Sequence, residues 1–266
     1  MADPLVLQRE LLARSGCHHG FTTRVGGVSS GPFAELNLSA KWPEEARNVD
    51  ANHDRLARWA GFDRSQLYLA RQVHGAQGVR VTDQPPAAVR TMEADYLFTD
   101  RPGITVGVIT ADCVPVLLAD PGRPAVAAAH AGWRGLVAGV IGAAVGSLGQ
   151  LGSRPHDLVA GLGPCIGPCC FEVGPEVVEA FLHAFGADPD IVVPAGTGPT
   201  PFPKPHVDLW RAARAALIQA GIDASRIADP PGCTMCQPER FYSYRRDGAR
   251  IGQQLAYIGV PGDAHG

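Results

Sequence analysis

The sequence predicts a mixed α/β (α+β) fold, and three observations carry that expectation. Strand-like and helix-like segments interleave along the whole chain, the composition is that of an ordinary globular protein, and turn formers are abundant. The 266 residues are 45% hydrophobic and 18% charged, which argues against disorder. Glycine and proline number 32 and 23, which predicts many turns and short elements. No repeat period, low-complexity tract or long linker interrupts the chain, so residues 1–266 read as a single domain with room for a sizeable core.

Each element has its own local justification. Residues 48–60 place apolar or alanine positions at helical spacing and predict a helix closed by Gly61. Residues 67–73 read as a strand running into Arg71-Gln-Val-His74-Gly75. Ile104, Val106 and Val108 alternate along a strand that ends at Thr110-Ala-Asp-Cys113. Residues 114–118 continue apolar, with Pro115 predicting a bulge or a strand start. Residues 125–129 form a small-residue strand ending at His130-Ala-Gly132, and 133–149 read as one helix. Residues 158–162 are strand-like, and 175–185 predict a helix with proline at its first position. Residues 193–205, with five prolines and two glycines, read as a loop. An amphipathic helix is expected over 207–220, stopped by Gly221. Two strands, 241–245 and 254–260, close the chain.

Charge and cysteine usage exclude several function classes. With 23 Lys+Arg against 26 Asp+Glu the net charge is −3, so no electrostatic footprint for a nucleic-acid backbone is present. Only Lys41 and Lys204 are lysine, a skew that fits a GC-rich genome better than an arginine-reading surface. The first ten residues place an acid ahead of a short apolar run, unlike a secretory signal. The longest apolar stretch, 136–148, is too short and too rich in small residues for a membrane span. Seven cysteines (Cys17, Cys113, Cys165, Cys169, Cys170, Cys233 and Cys236) in odd number and in clusters fit a reducing cytoplasm, where thiols serve as ligands, nucleophiles or core filler.

The chemistry-bearing candidates fall at strand ends. His74, Cys113 and His130 each close an apolar strand and are followed within two residues by Gly or Pro, where a backbone turns and exposes a side chain. Two imidazoles and one thiolate suit Zn²⁺, and three protein ligands leave a fourth position open. The same atoms also suit a Cys–His nucleophile pair with Asp112 adjacent, or two buried histidines and a core thiol. Asp112 by itself reads as a turn acid. His130-Ala-Gly-Trp-Arg134-Gly leads into a helix start, where free N–H groups and Arg134 favour an anion such as phosphate, although a close-packed Gly-rich helix with a solvated Arg134 explains the pattern too. Arg24, beside glycines, and Arg246 are further phosphate candidates. Tyr242, Tyr244 and Arg246 share one face if 241–245 is a strand, either to stack a base or as a solvated edge. The turn Gly161-Leu-Gly-Pro-Cys165-Ile-Gly-Pro-Cys169-Cys170 lacks P-loop spacing and reads as a pocket wall. Cys233-Thr-Met-Cys236 suits half of a Cys₄ zinc site or a redox pair, but Cys169-Cys170 has the wrong spacing for a zinc knuckle and no Trp precedes the pair, so it reads as a turn with incidental thiols.

Together, Phe21-Thr-Thr-Arg24-x-Gly-Gly-Val-Ser29, Gln72-Val-His74, Ala94-Asp95, Thr110-Ala-Asp-Cys113-x-Pro115, His130-Ala-Gly-Trp-Arg-Gly135, Gly163-Pro-Cys-Ile-Gly167 and Phe241-x-Ser-Tyr-Arg-Arg-Asp-Gly248 resemble the YfiH-like polyphenol oxidase (laccase-domain) family, whose members are also described as purine nucleoside phosphorylases. The resemblance implies a single catalytic domain of layered α/β/β/α type in the CNF1/YfiH-like class. It implies His74, Cys113 and His130 as a catalytic, zinc-binding triple. It also implies phosphorolysis of adenosine, inosine, guanosine and methylthioadenosine, together with adenosine deamination. A copper-dependent phenol oxidase and a metal-free Cys–His hydrolase are the alternatives. The first is disfavoured because nine histidines, with only His18 and His19 adjacent, look too few for a trinuclear copper cluster. The expected partners are purine nucleosides and phosphate, with no nucleic acid and no membrane, in the cytoplasm.

Overall fold

A computed structural model describes residues 6–188, 190–196 and 203–262. Its strands, in chain order, are β1 (Val6–Leu7), β2 (His18–Thr22), β3 (Leu67–Tyr68), β4 (Gly78–Arg80), β5 (Tyr96–Thr99), β6 (Thr105–Thr110), β7 (Val114–Asp120), β8 (Ala125–Ala131), β9 (Val159–Leu162), β10 (Val192–Val193), β11 (His206–Val207), β12 (Ile227–Ala228) and β13 (Gln254–Gly259). The helices are α1 (Glu10–Ala13), α2 (Ala46–Ala60), α3 (Pro86–Thr91), α4 (Trp133–Val137), α5 (Val140–Gln150), α6 (Pro175–Phe185), α7 (Leu209–Gln219) and α8 (Tyr244–Asp247). One sheet runs β1-β2-β13-β6-β3 and a second runs β12-β9-β7-β8-β5-β4; both mix parallel and antiparallel pairs.

Side-chain alternation sorts the apolar residues into layers. Val106 and Val108 of β6 and Ala256 and Ile258 of β13 face Leu117 and Ala119 of β7 and Val126 and Ala128 of β8, forming the core between the two sheets. The intervening residues of β7 and β8, such as Val116, Leu118, Ala127 and Ala129, pack on Val140, Ala144 and Leu148 of α5 and on Ala213 and Leu217 of α7. On the far side of the first sheet, Leu255 and Tyr257 pack with Leu56 of α2, Leu36 and Leu38. The result is the layered helix–sheet–sheet–helix arrangement that the resemblance implies. It also explains why β7 and β8 are apolar at nearly every position: they are buried on both faces. None of the helices among the described residues is long and apolar enough to cross a membrane.

Several elements depart from local expectation, each for a physical reason. The helix expected over 133–149 breaks between α4 and α5 because Gly139 adopts φ 81°, a left-handed conformation. The strand expected over 67–73 forms a ladder at Leu67 and Tyr68, followed by a single bridge from Arg71 to Glu93. Beyond them the Gln72 side chain imitates a strand: its amide donates to the Ile109 carbonyl (2.8 Å) and accepts from the Ile109 N–H (2.8 Å). The helix expected over 207–220 begins two residues later, since Val207 lies in β11 and Asp208 caps α7 by accepting from the N–H groups of Trp210 and Arg211. The strand expected over 241–245 does not form. Tyr242 is buried with its hydroxyl donating to the Phe33 carbonyl, and Ser243 Oγ accepts from the Arg246 N–H to start the single turn of α8. Tyr242 and the exposed Tyr244 therefore share no stacking face. Helix α2 ends as expected, with Gly61 in the left-handed region (φ 73°) and its N–H returned to Ala57. In the proline-rich loop, residues 197–202 lie outside the described residues.

Helix α2 also carries a pH-sensitive stability element. His53 is 6% exposed, and its ring Nε2 donates to the Leu38 carbonyl at 3.0 Å. Burial, with help from the Arg64 and Arg90 charges, pulls its pKa down from 6.5 to about 4. A folded-state pKa below the unfolded one means that protonation favours unfolding. The stabilisation is complete above pH 6.5 and is lost as pH falls towards 4, by roughly 3 kcal/mol from this group. His53→Gln keeps an N–H donor but cannot charge; urea titrations between pH 7 and 4.5 are expected to show a flatter loss of stability for the variant than for the parent chain.

Candidate functional site

The strand registers bring His74, Cys113 and His130 to one point. In the β7–β8 ladder Val114 pairs with Ala131 and Pro115 with His130, so Cys113, in the β6–β7 turn, lies beside the end of β8. His74 arrives from the other side, where the Gln72 clamp on β6 ends the extended run and His74 turns with φ 62°. One donor atom from each of the three side chains lies within 4.8 Å of the others. The two imidazole rings meet edge-on, with centroids 4.8 Å apart.

Asp95 organises this meeting. Its carboxylate is fully buried just before β5 and accepts the N–H groups of Val73 (3.3 Å), His74 (2.9 Å) and Gly75 (2.6 Å), fixing the turn that presents His74. The same carboxylate lies 2.8 Å from His130 Nδ1, and the Asp95 carbonyl accepts the His130 N–H. Burial alone would raise its pKa, but hydrogen bonds from His130, Gly75 and His74 outweigh that and hold it below the usual carboxylate value. With Nδ1 engaged, His130 has Nε2 left for the centre, the carboxylate–histidine arrangement typical of metal ligands.

The electrostatics of the three side chains favour a charged thiol. Burial disfavours both a thiolate at Cys113 and a charge on His130, but their mutual attraction and hydrogen bonds outweigh it. The Cys113 thiol is lowered well below its ordinary value and the His130 imidazole is raised. A thiolate and two imidazoles are a donor set suited to Zn²⁺, with Cu also accommodated, and the spread of the donors is compact enough for one ion. Space is kept by Gly132: a Cβ there would lie 3.0 Å from Cys113 Sγ and 3.0 Å from His74 Cδ2.

Asp112 is a turn acid, as its neighbours suggest, but with a larger brace than a cap. At φ 90° it accepts the Thr234 hydroxyl (2.5 Å) on one carboxylate oxygen and the Arg245 N–H (2.6 Å) on the other, tying the Cys113 turn to a distant loop and to α8. Of the arginines expected to hold phosphate, Arg24 donates to the carbonyls of Ala34 and Pro238 and stacks on Tyr242. Arg246 donates to the carbonyls of Thr234, Met235 and Phe241 and to Asp247. Both are committed to holding loops. Arg134 is exposed at the start of α4, stacked on Trp133 at 4.3 Å, two residues from Gly132. Thr234 carries no local sequence signal for its role, whereas Gln72 and Asp95 fall in the motifs Gln72-Val-His74 and Ala94-Asp95, and Asp95 lies directly ahead of an apolar strand.

The cysteines resolve into three groups. Cys17 and Cys165 are buried and Cys165 is pushed far above its ordinary pKa by burial, as core thiols are. Cys113 belongs to the centre above. The remaining four, expected to be incidental or part of a pocket wall, instead come together: Cys169, Cys170, Cys233 and Cys236 have all their Sγ atoms within 4.8 Å of one another.

Comparisons with known proteins bear on the family and the fold. The family model described as "Multi-copper polyphenol oxidoreductase laccase" matches residues 18–261. The chain is 35% identical over 254 residues to a protein of Geobacillus stearothermophilus named purine nucleoside phosphorylase YlmD, covering 92% of this chain and 90% of that one. It is 40% identical over 244 residues to a purine nucleoside phosphorylase of Streptomyces coelicolor, covering 92% and 96%. The crystal structure of YlmD from Geobacillus stearothermophilus superposes with a TM-score of 0.87 at 33% identity, covering 98% of each chain. A match across nearly the whole chain, with the mixed α/β fold in common, places it: this chain belongs to the multi-copper polyphenol oxidoreductase laccase family.

Proposed function

We propose that this chain is a zinc-dependent purine nucleoside phosphorylase, converting a purine nucleoside and phosphate to the free base and ribose 1-phosphate, with adenosine deaminase activity at the same centre. The observation that carries this reading is the convergence of His74, Cys113 and His130 around the buried Asp95 carboxylate, in a chain whose relatives bear the phosphorylase name. Adenosine, inosine, guanosine and methylthioadenosine are the proposed substrates.

His74, Cys113 and His130 are the residues that would hold the zinc, which supplies Lewis acidity and a hydroxide at neutral pH. The rest is done by the chain. Asp95 fixes the His130 tautomer and the His74 turn, so that both rings are oriented before substrate arrives. Arg134, beside the start of α4, offers a guanidinium to hydrogen phosphate, whose oxygen attacks the ribose C1′ as the C1′–N9 bond breaks and whose proton passes to the leaving purine. Gly132 leaves the space next to the thiolate in which reacting groups fit.

Incubation of the purified chain with adenosine, with and without phosphate, tests this directly. Adenine and ribose 1-phosphate are expected only with phosphate, and inosine without it. Full turnover in metal-free protein refutes the zinc dependence, and absence of ribose 1-phosphate refutes the phosphorylase. Gly132→Ala is expected to lower kcat/KM by roughly 10- to 100-fold, because the new methyl displaces the thiolate or the His74 ring. The backbone there, φ −69°, suits alanine, so the thermal midpoint is expected to stay put. Unchanged kcat/KM in that variant means that the centre is elsewhere.

One further reading has an observation in its favour. Cys113, His130 and Asp95 are ordered as nucleophile, base and orienting acid, the pattern of a metal-free Cys–His hydrolase. Iodoacetamide inactivation at Cys113 with a trapped acyl-enzyme supports that hydrolase, whereas one zinc per centre in active protein weighs against it. For a laccase-type phenol oxidase, the described residues bring two imidazoles to one centre, fewer than a trinuclear copper cluster requires.

A further inference from the structure

A second set of potential ligands lies outside the proposed active centre. The loop after β9 carries Cys169 and Cys170, and the loop after β12 carries Cys233 and Cys236. Strands β9 and β12 are parallel neighbours, so the two loops leave the sheet at the same end. Beyond the strands a single bridge still pairs Cys165 with Cys233, and the Thr234 N–H donates to the Cys165 carbonyl at 3.0 Å. This contact sets the Cys233-Thr-Met-Cys236 turn directly over the adjacent thiols of the first loop.

The geometry points to a structural Zn²⁺ site formed by Cys169, Cys170, Cys233 and Cys236. The four Sγ atoms lie within 4.8 Å of one another, with Cys169–Cys236 at 3.6 Å and Cys170–Cys236 at 3.3 Å. In a tetrahedral ZnS₄ centre the sulfurs are about 3.8 Å apart, whereas a disulfide needs about 2.05 Å. The separations are far too long for a disulfide and straddle that of ligands around one ion. Cys233 Sγ accepts the Gly167 N–H at 3.2 Å, the kind of bond that stabilises a thiolate ligand. A Cβ at Gly167 would come within 3.2 Å of Cys233 Cβ and 3.3 Å of Cys169 Sγ, so the first loop approaches the turn as closely as a side-chain-free residue permits. No imidazole or carboxylate joins the four among the described residues, and a closed set of four thiolates is that of a structural rather than a catalytic site.

The site has a function for the rest of the molecule. Thr234, between the two cysteines of the turn, donates to Asp112, next to Cys113, and Arg246 donates to the Thr234 and Met235 carbonyls. An ion that pins this turn thereby braces the Cys113 turn.

Metal uptake by the full chain tests the proposal independently of turnover. Protein stripped with a chelator is titrated with Co²⁺, then with Zn²⁺. The intact chain is expected to take up about two equivalents. Cys113→Ser is expected to retain about one, with the intense sulfur-to-cobalt charge-transfer band of a tetrathiolate centre. Cys236→Ser is expected to lose that band. A Cys113→Ser protein that binds no ion tightly, or a tetrathiolate spectrum that survives Cys236→Ser, overturns the site. Should Cys236→Ser fail to fold, alkylation of the intact chain decides: the exposed Cys169 and Cys236 are expected to be protected by Zn²⁺ and labelled after chelation. Equal labelling in both states, or a Cys170–Cys236 disulfide in freshly isolated protein, overturns it as well. Because the Cys113→Ser background removes the other centre, failure of the phosphorylase reading leaves this result unaffected.

Discussion

Replacing Cys113 by alanine is expected to lower kcat/KM for nucleoside phosphorolysis by about 10³ or more and to abolish ion uptake at the His74–Cys113–His130 centre. The reason is electrostatic as well as geometric. The thiolate is the anionic member of the donor set. Without it two imidazoles remain, one of them facing a divalent cation with no compensating charge. The structural cost is small, because Cys113 is partly exposed and sits in a turn whose shape is held by Asp112 through Thr234 and Arg245. The thermal midpoint is therefore expected to move little while turnover disappears. Cys113→Ser, isosteric but with a far weaker ligand, is expected to behave almost as badly. Retention of full turnover in either variant ends the case for this centre.

The second large effect is expected at Asp95, which touches no reacting atom in the proposed scheme. Asp95→Ala removes a buried carboxylate that accepts three backbone N–H groups and engages His130 Nδ1. Leaving those partners buried and unpaired is expected to cost about 3 kcal/mol of stability, measured by urea unfolding. Asp95→Asn preserves the shape but turns an NH₂ group towards at least one N–H donor. It is expected to lower metal affinity and kcat by roughly 10- to 100-fold with KM little changed. That split separates a positioning residue from a merely structural one. A purely structural role would lower stability in both variants and leave the metal affinity of the surviving folded protein intact.

The two centres were unequally legible in the sequence. His74, Cys113 and His130 stood out because each follows an apolar strand and precedes a Gly or Pro, a position where side chains are presented at a sheet edge. Asp95 and Thr234 did not, since nothing local distinguishes a buried acid that accepts four hydrogen bonds from one that ends a turn. The grouping of the four cysteines was not legible for a related reason. Adjacent cysteines do not form a knuckle by themselves, and their partnership with Cys233 and Cys236 depends on the parallel pairing of β9 with β12. Likewise Arg24 and Arg246 had the charge to bind phosphate, and only the surrounding carbonyls reveal that their donors are engaged.

Periodicity and punctuation along the chain determined what is local: the alternation of Val106 and Val108, the proline opening α6, the glycine closing α2 and the mixed class of the fold. Tertiary structure decided everything that depends on a neighbour distant in the chain. Tyr242 left its expected strand for a buried bond to Phe33, α4 and α5 parted at Gly139, and His74 and His130 met around one carboxylate. The physical reason is that backbone preferences act over a few residues and are worth fractions of a kcal/mol each. The positions of His74, Cys113 and His130 relative to one another are instead set by ladder register and by buried hydrogen bonds, which a linear pattern does not encode.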